Sequence, residues 1–229
     1  MTEVEEEEDK KAIPCKVVLI GESGVGKTSI ISRYMHNTFS ATVGSTPGAN
    51  FTTKTIFLKE ENQSIKYEIW DTAGQEKYRS LAKVFYKNAS VCVLVYEITR
   101  RTSFDELKNF WINEVINNGA SNISKKIFLI ILLIYIVLAV AANKSDMYEY
   151  EEVPESEGMA FAKKYKAIFQ TTSAKESNGS VDLLFQNIGK QILNPNKENI
   201  RALSKDDLPG KGEQLKQEKM KKEKKGGCC

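Results

Sequence analysis

The sequence predicts an α/β fold: a mainly parallel six-stranded sheet with one antiparallel edge strand and helices on both faces. Three observations predict it. Short apolar runs rich in β-branched residues, such as Lys16-Val17-Val18-Leu19-Ile20 and Val91-Cys92-Val93-Leu94-Val95-Tyr96, alternate with stretches of helical period. Such buried strands, spaced by helices, pair in parallel. Two alternating strands on either side of the polar cluster Lys59-Glu60-Glu61-Asn62-Gln63 read as an edge hairpin. Finally, Gly21-Glu22-Ser23-Gly24-Val25-Gly26-Lys27-Thr28 lies between the first strand and a helix and fits G-x-x-x-x-G-K-[ST] in full.

At 229 residues the chain is long enough for one well-buried domain with tails and short for two. The expected boundaries are an acidic disordered arm over 1–12, a domain over 13–194, and a flexible basic tail over 195–229. The net charge is only +3, yet an acidic start faces a lysine-rich end. The first residues are acidic and so do not read as a signal peptide. Cys15 and Cys92 sit in or beside apolar strands and read as packing thiols rather than a disulfide framework, which suits a reducing cytosol.

Thr28 to Met35 reads as the first helix, with Ile30, Ile31 and Tyr34 at helical spacing. His36, the only histidine, falls at its end and reads as a solvated or capping residue. Residues 37–50 are loop-like. The first hairpin strand alternates through Phe51, Thr53, Thr55 and Phe57; the second places Ile65, Tyr67 and Ile69 on one face and ends on Trp70-Asp71. Ser103-Phe104-Asp105-Glu106 has capping-box spacing and opens a helix with the stripe Phe104, Leu107, Trp111 and Val115, stopping near Asn117-Asn118-Gly119. Pro154 starts the next helix, and Ile168-Phe169 falls in a short strand. Ser180 caps a last helix with Val181, Leu184, Ile188 and Ile192 inward, ended by Pro195.

The glycine-rich segment is where the chemistry starts. A strand, a glycine turn and a helix N-terminus turn successive backbone N–H groups onto one point, where the helix dipole also favours an anion. Gly21 to Ser29 would then wrap phosphates, with Lys27 on the outer ones and the Thr28 hydroxyl on Mg²⁺. Asp71, at a strand end beside that loop, suits the same cation through a water. Gly74 lets a backbone N–H approach a γ-phosphate, and Gln75 is placed to orient an attacking water. Alone, Asp71-Thr72-Ala73-Gly74 is an ordinary turn; downstream of a phosphate loop it reads as part of a site. Asn143-Lys144-Ser145-Asp146 directly follows an apolar strand. The Asp146 carboxylate can accept both N–H groups on the guanine edge, which adenine does not offer in that pattern. Ser173-Ala174-Lys175 after the next strand supplies a backbone N–H for the guanine oxygen.

With these motifs in this order, the chain from about Cys15 to Leu193 resembles a Ras-superfamily small GTPase of the Rab family. The Rab-like segments are Ile69-Trp70-Asp71-Thr72-Ala73-Gly74-Gln75-Glu76, Tyr78-Arg79-Ser80-Leu81 and Leu94-Val95-Tyr96-Glu97-Ile98-Thr99. Gly21-Glu22-Ser23 and Gly48-Ala49-Asn50-Phe51 lean towards the endosomal branch. The resemblance implies a P-loop GTPase fold and a GTP hydrolase cycling between GTP and GDP, with Mg²⁺ held by Thr28, Thr46 and Asp71. It implies catalysis by Gln75 and Lys27, Phe39 against the guanine ring, and two switches around Thr46 and after Gly74. It also implies effectors, an exchange factor, a GTPase-activating protein, prenylation machinery and a dissociation inhibitor. The protein would be a monomer without nucleic-acid partners, on the cytoplasmic face of an intracellular membrane, acting in vesicle trafficking. Two positions depart from the pattern. Pro47 replaces an aliphatic residue, restricting Thr46 and removing a donor, and Lys83 replaces a proline. If Pro47 or the insertion described next spoils the switch, the rival is a guanine-nucleotide-binding scaffold that does not cycle. An ATP-using phosphate-loop enzyme is disfavoured by Asn143-Lys144-Ser145-Asp146.

Ile127 to Ala142 is an uncharged apolar run longer than the strand a Rab needs before Asn143. It is also shorter than the ~20 residues that span a bilayer. Three readings stand: a transmembrane helix, an insertion packed as a longer strand or hairpin, or an unspliced intron. Ser124 through Val137 can be written with AT-rich codons beginning AGT AAA AAA and ending TAT ATA GTA, which places a GT at one end and an AG at the other, in frame. Its removal joins Ile123 to Leu138 through one restored residue.

The lysine-rich end closes on Cys228-Cys229. It lacks a C-a-a-X box and resembles the doubly geranylgeranylated Rab ending. Two lipid chains beside a basic patch meet the two-signal requirement for stable anchoring.

Overall fold

The computed structural model describes residues 11–42, 44, 49–72, 88–118 and 136–195. The chain divides into the units Met1–Pro195 and Asn196–Cys229, and every described residue belongs to the first.

Strand β1 (Ile13–Ile20) leads into helix α1 (Lys27–His36), and β2 (Ala49–Leu58) and β3 (Gln63–Thr72) form the hairpin. Strand β4 (Val91–Glu97) is followed by α2 (Arg101–Glu106), a π-helical turn (Leu107–Trp111) and α3 (Ile112–Asn118). Strand β5 (Val137–Asn143) precedes a 3-10 segment (Ser145–Tyr150), α4 (Glu155–Lys164), β6 (Ile168–Thr171) and α5 (Ser180–Leu193). The six strands make one sheet in the order β2-β3-β1-β4-β5-β6. Only the β2–β3 pairing is antiparallel, so β2 is the antiparallel edge expected from the sequence.

Alternation along the parallel strands divides the core in two. Val18, Ile20, Cys92, Leu94, Tyr96, Leu138 and Val140 pack with Phe104, Leu107, Trp111 and Phe161. Val17, Leu19, Val93, Val95, Ala139 and Ala141 pack on the other face with Ile30, Tyr34, Leu184, Phe185 and Ile188. Both faces are covered, which is why these strands read as continuous apolar runs. Each large side chain sealed this way stabilises the fold by about 1.5–3 kcal/mol. Tyr34 stacks on Phe185 with ring centroids 3.7 Å apart, and the Tyr67 hydroxyl donates to Phe185 O (2.7 Å), joining α1 and β3 to α5. Cys15 and Cys92 are free and buried, and burial pushes both thiols up to about 12, which keeps them protonated.

Three local expectations change. The helix after β4 begins at Arg101, with Arg100 as its N-cap, so Ser103 does not cap it. Ser103 is fully buried; its hydroxyl accepts from Glu97 N–H (3.2 Å) and donates to Arg100 O (2.8 Å), fastening the helix to the end of β4. Gly179, in a left-handed conformation, caps α5, and the Ser180 hydroxyl instead accepts from Ser173 N–H (3.1 Å). On β2 the alternation holds with the opposite face inward: Leu58 is buried, whereas Phe51 and Phe57 are 53% and 52% exposed. The acidic arm over 1–10, the apolar residues 127–135 and the tail from Asn196 lie outside the described residues.

Candidate functional site

Five strands, β1, β3, β4, β5 and β6, run parallel, so their carboxyl ends lie along one edge of the sheet. Ligand crevices of open α/β sheets form at that edge. Here a cleft of about 400 Å³ is lined by Ser23, Gly24, Gly26, Lys27, Thr28 and Ser29 after β1. Phe39, Ser40, Ala41 and Gly44 line it from the loop after α1, and Thr72 from the end of β3. Asn143, Lys144, Asp146, Met147, Ala174 and Lys175 complete it. Gly21, Glu22, Val25, Asp71 and Ser173, also expected at the site, support these lining residues as described below.

At the phosphate end, the loop closes on a buried ammonium. Lys27 is 5% exposed, and its Nζ donates to Gly21 O (3.0 Å) and Glu22 O (2.9 Å). Burial pushes it down to about 8, while the charges of Asp71 and Glu22 act the other way. Because this value lies below the ordinary 10.5, the unfolded chain holds more protons between about pH 8 and 10.5, and Lys27's contribution to stability rises with pH across that window. A phosphate beside Nζ would favour the ammonium, so its binding would take up protons as pH rises through about 8. Calorimetry of pyrophosphate binding in buffers of differing ionisation enthalpy is expected to show proton uptake at pH 8.5 that shrinks towards pH 7.5. Net proton release at pH 8.5 would reject this assignment.

The Thr28 hydroxyl donates to Asp71 Oδ2 (2.7 Å), joining residues on α1 and β3 at the mouth of the loop. A hydroxyl and a carboxylate so close are hard oxygen donors that fit Mg²⁺, a cation that keeps several waters and shares phosphate oxygens. Thr28 and Asp71 would hold it. The third expected ligand, Thr46, lies outside the described residues, as do Pro47, Gly74, Gln75, Lys83, Cys228 and Cys229.

At the other end, the Asp146 side chain is 7% exposed; its Oδ1 accepts from the Ser173 hydroxyl (2.7 Å) and its Oδ2 faces Lys175 Nζ at 3.8 Å. One carboxylate edge is thereby fixed while Asp146 lines the cleft. Asn143, 1% exposed, donates from Nδ2 to Val25 O (2.8 Å) and accepts at Oδ1 from Thr172 (3.2 Å), so its side chain fastens the loop after β1 to the ends of β5 and β6. Phe39 is 39% exposed and lines the cleft beside Ser40. His36 is exposed in the last turn of α1, as expected.

Two further residues carried no expected role. Glu97, 5% exposed at the end of β4, pairs with Arg100 (2.5 Å) and with Lys144. Arg100 also donates to Ser23 O (2.8 Å) and lies 3.7 Å from the Glu22 carboxylate. One buried carboxylate thus links the loop after β1 with the loop after β5. The only sequence signal was the i,i+3 spacing of Glu97 and Arg100, which is common by chance.

The profile of the Ras family matches residues 16–194. The chain is 35% identical to the human Ras-related protein Rab-22A, over 93% of this chain and 97% of that protein. It is 42% identical to the Ras-related protein Rab-11B of Dictyostelium discoideum, over 76% and 71% of the two chains. To the mouse Ras-related protein Rab-31 it is 39% identical, over 77% and 82%.

Proposed function

The chain belongs to the Ras family as a Rab-type small GTPase and hydrolyses GTP, and from that premise we propose that it is a membrane-attached switch that recruits effectors in its GTP form and releases them as GDP. One observation carries the reading: a single cleft joins the Lys27 cradle and the Thr28–Asp71 oxygen pair to the braced carboxylate of Asp146. Lys27 and the N–H groups opening α1 hold the outer phosphates, and Mg²⁺, when bound, neutralises their charge. Asp146 and the loop Ser173-Ala174-Lys175 hold guanine, with Phe39 against the ring. Gln75 orients the attacking water, and the N–H of Gly74 and the hydroxyl of Thr46 sense the γ-phosphate. Catalysis is then positioning and charge stabilisation, slow until an activating protein completes it.

The switches order with GTP and are released on hydrolysis. Limited proteolysis of the GDP-loaded and GTPγS-loaded chain is expected to cut within residues 43–48 and 73–87 at clearly different rates. Matching digestion patterns, with matching retention of cytosolic proteins on the two immobilised forms, would favour a non-cycling scaffold.

Geranylgeranyl groups on Cys228 and Cys229, beside the terminal lysines, attach the protein to the cytoplasmic face of an endosomal membrane. The segment Ser124–Val137 is dispensable for this function. Support comes from β5, whose buried residues Leu138 to Ala142, with Asn143, all follow it, while Val137 is only half-buried. A spliced transcript is expected to lack the segment, and a chain without it to bind GDP. A transcript that retains the segment in every clone, or loss of binding on its removal, refutes the proposal.

A further inference from the structure

We infer that Arg33 is a positioning residue that sets how long guanine nucleotide stays bound, by holding the Ala174–Lys175 loop and Asn37 in one knot. The inference rests on the guanine reading of the cleft and adds the residue that braces its base end. Arg33 lies in the last turn of α1, the helix whose first turn carries Lys27 and Thr28. Its Nε donates to Ala174 O (2.8 Å) and its Nη2 to Lys175 O (2.7 Å). Nη1 donates to both Asn37 O and Asn37 Oδ1, each at 2.8 Å. All three nitrogens of one fixed planar fork are therefore committed to backbone or amide oxygens.

This geometry decides which way the loop faces. In a trans peptide the carbonyl and the following N–H point opposite ways. Turning the carbonyls of Ala174 and Lys175 onto Arg33 therefore turns the N–H groups of Lys175 and Glu176 away from it. Glu176 N–H then donates to the Ser173 hydroxyl (3.0 Å), which itself donates to Asp146 Oδ1 (2.7 Å). Force on the loop from Arg33 thus reaches the guanine carboxylate through two hydrogen bonds. The same knot reaches the opposite wall. Asn37 caps α1 in a left-handed conformation, and its Oδ1 also accepts from the Ser177 hydroxyl (2.9 Å). Two residues later, Phe39 lines the cleft. Arg33 is therefore the point where the phosphate-binding helix, the loop under the base and the approach to Phe39 are tied together.

The test is a chase of fluorescent GDP from the full chain in Mg²⁺, comparing wild type with Arg33→Ala and Arg33→Lys. Charge-assisted bonds to two carbonyls predict release about tenfold faster or more for Arg33→Ala. A lysine satisfies fewer of the oxygens and should fall between. The diphosphate of 2-aminopurine riboside lacks both the 6-oxygen that accepts from the loop N–H and the ring N–H that donates to Asp146, so its release should change by less than about twofold on Arg33→Ala. Equal acceleration of both nucleotides would mean general loosening and would overturn the inference, as would GDP release at the wild-type rate. A wild-type chain that holds no GDP would sink the guanine reading instead.

Discussion

The Gly21→Ala protein is expected to lose roughly 3 kcal/mol or more of folding stability, and its melting temperature about 10 °C. A Cβ on Gly21 would lie 2.2 Å from Val95 O, and the residue sits at φ +149°, where side chains are disfavoured. The obstructing atom is backbone, and it belongs to β4, which pairs with β1 on one side and β5 on the other. That carbonyl cannot rotate away as a flexible side chain would. Relief must come from moving the loop, and Gly21 O is one of the two carbonyls that hold Lys27. Stability and phosphate binding should therefore fail together. Gly24→Ala is the contrasting case. It has φ +81°, but its Cβ would meet nothing nearer than Arg100 Nη2 at 3.9 Å, so only backbone strain of about 1 kcal/mol is expected. Thermal unfolding of the two variants side by side checks the difference; equal losses would mean that the contact with Val95 is not what matters.

Most of this site was legible because its parts are local. The residues from Gly21 to Thr28 are contiguous, and Asp71, Asn143 to Asp146 and Ser173 each stand at or just after the end of a stretch that reads as a strand. Strand-end chemistry is visible wherever the strand is, and the parallel sheet brings those ends to one edge. The fasteners were not legible, because each joins residues remote in sequence. Arg33 meets Ala174 across 141 positions and Arg100 meets Ser23 across 77, and no spacing encodes such pairs. Ser103 shows the opposite failure. Its spacing to Glu106 satisfies a local rule, yet a longer-range bond to the end of β4 takes its hydroxyl, and the N-cap is Arg100, three residues earlier. On β2 both phases carry apolar residues, Phe51 and Phe57 against Ile56 and Leu58. Register with β3 selects the face, with Ile56 opposite Ile65 and Leu58 opposite Gln63.

Replacing Asp146 by asparagine is expected to weaken GDP binding on the order of 10³- to 10⁴-fold while leaving the fold intact, because a carboxylate and an amide differ in what they offer the base. In the protein, Oδ1 already accepts from Ser173, and this bond survives if the amide oxygen takes that place. The amide N–H₂ then occupies the position of Oδ2, which faces the Lys175 ammonium at 3.8 Å. In the proposed binding mode guanine would bring a donor to that position, its exocyclic amine, so donor would meet donor at a side chain only 7% exposed. An unmatched polar group there costs about 1–3 kcal/mol on each side of the contact, which sets the scale of the loss. Xanthine differs by carrying an oxygen where guanine carries the amine. The substituted amide would accept its ring N–H at the side-chain oxygen and donate from the side-chain nitrogen to that xanthine oxygen, so preference should invert towards xanthosine diphosphate. Competition between the two diphosphates on Asp146→Asn reads this directly. Phosphate-side contacts are untouched by the change, so the dissociation constant of pyrophosphate itself should be the same for both proteins. A variant that weakens GDP and xanthosine diphosphate alike would show that Asp146 braces the loop without reading the base.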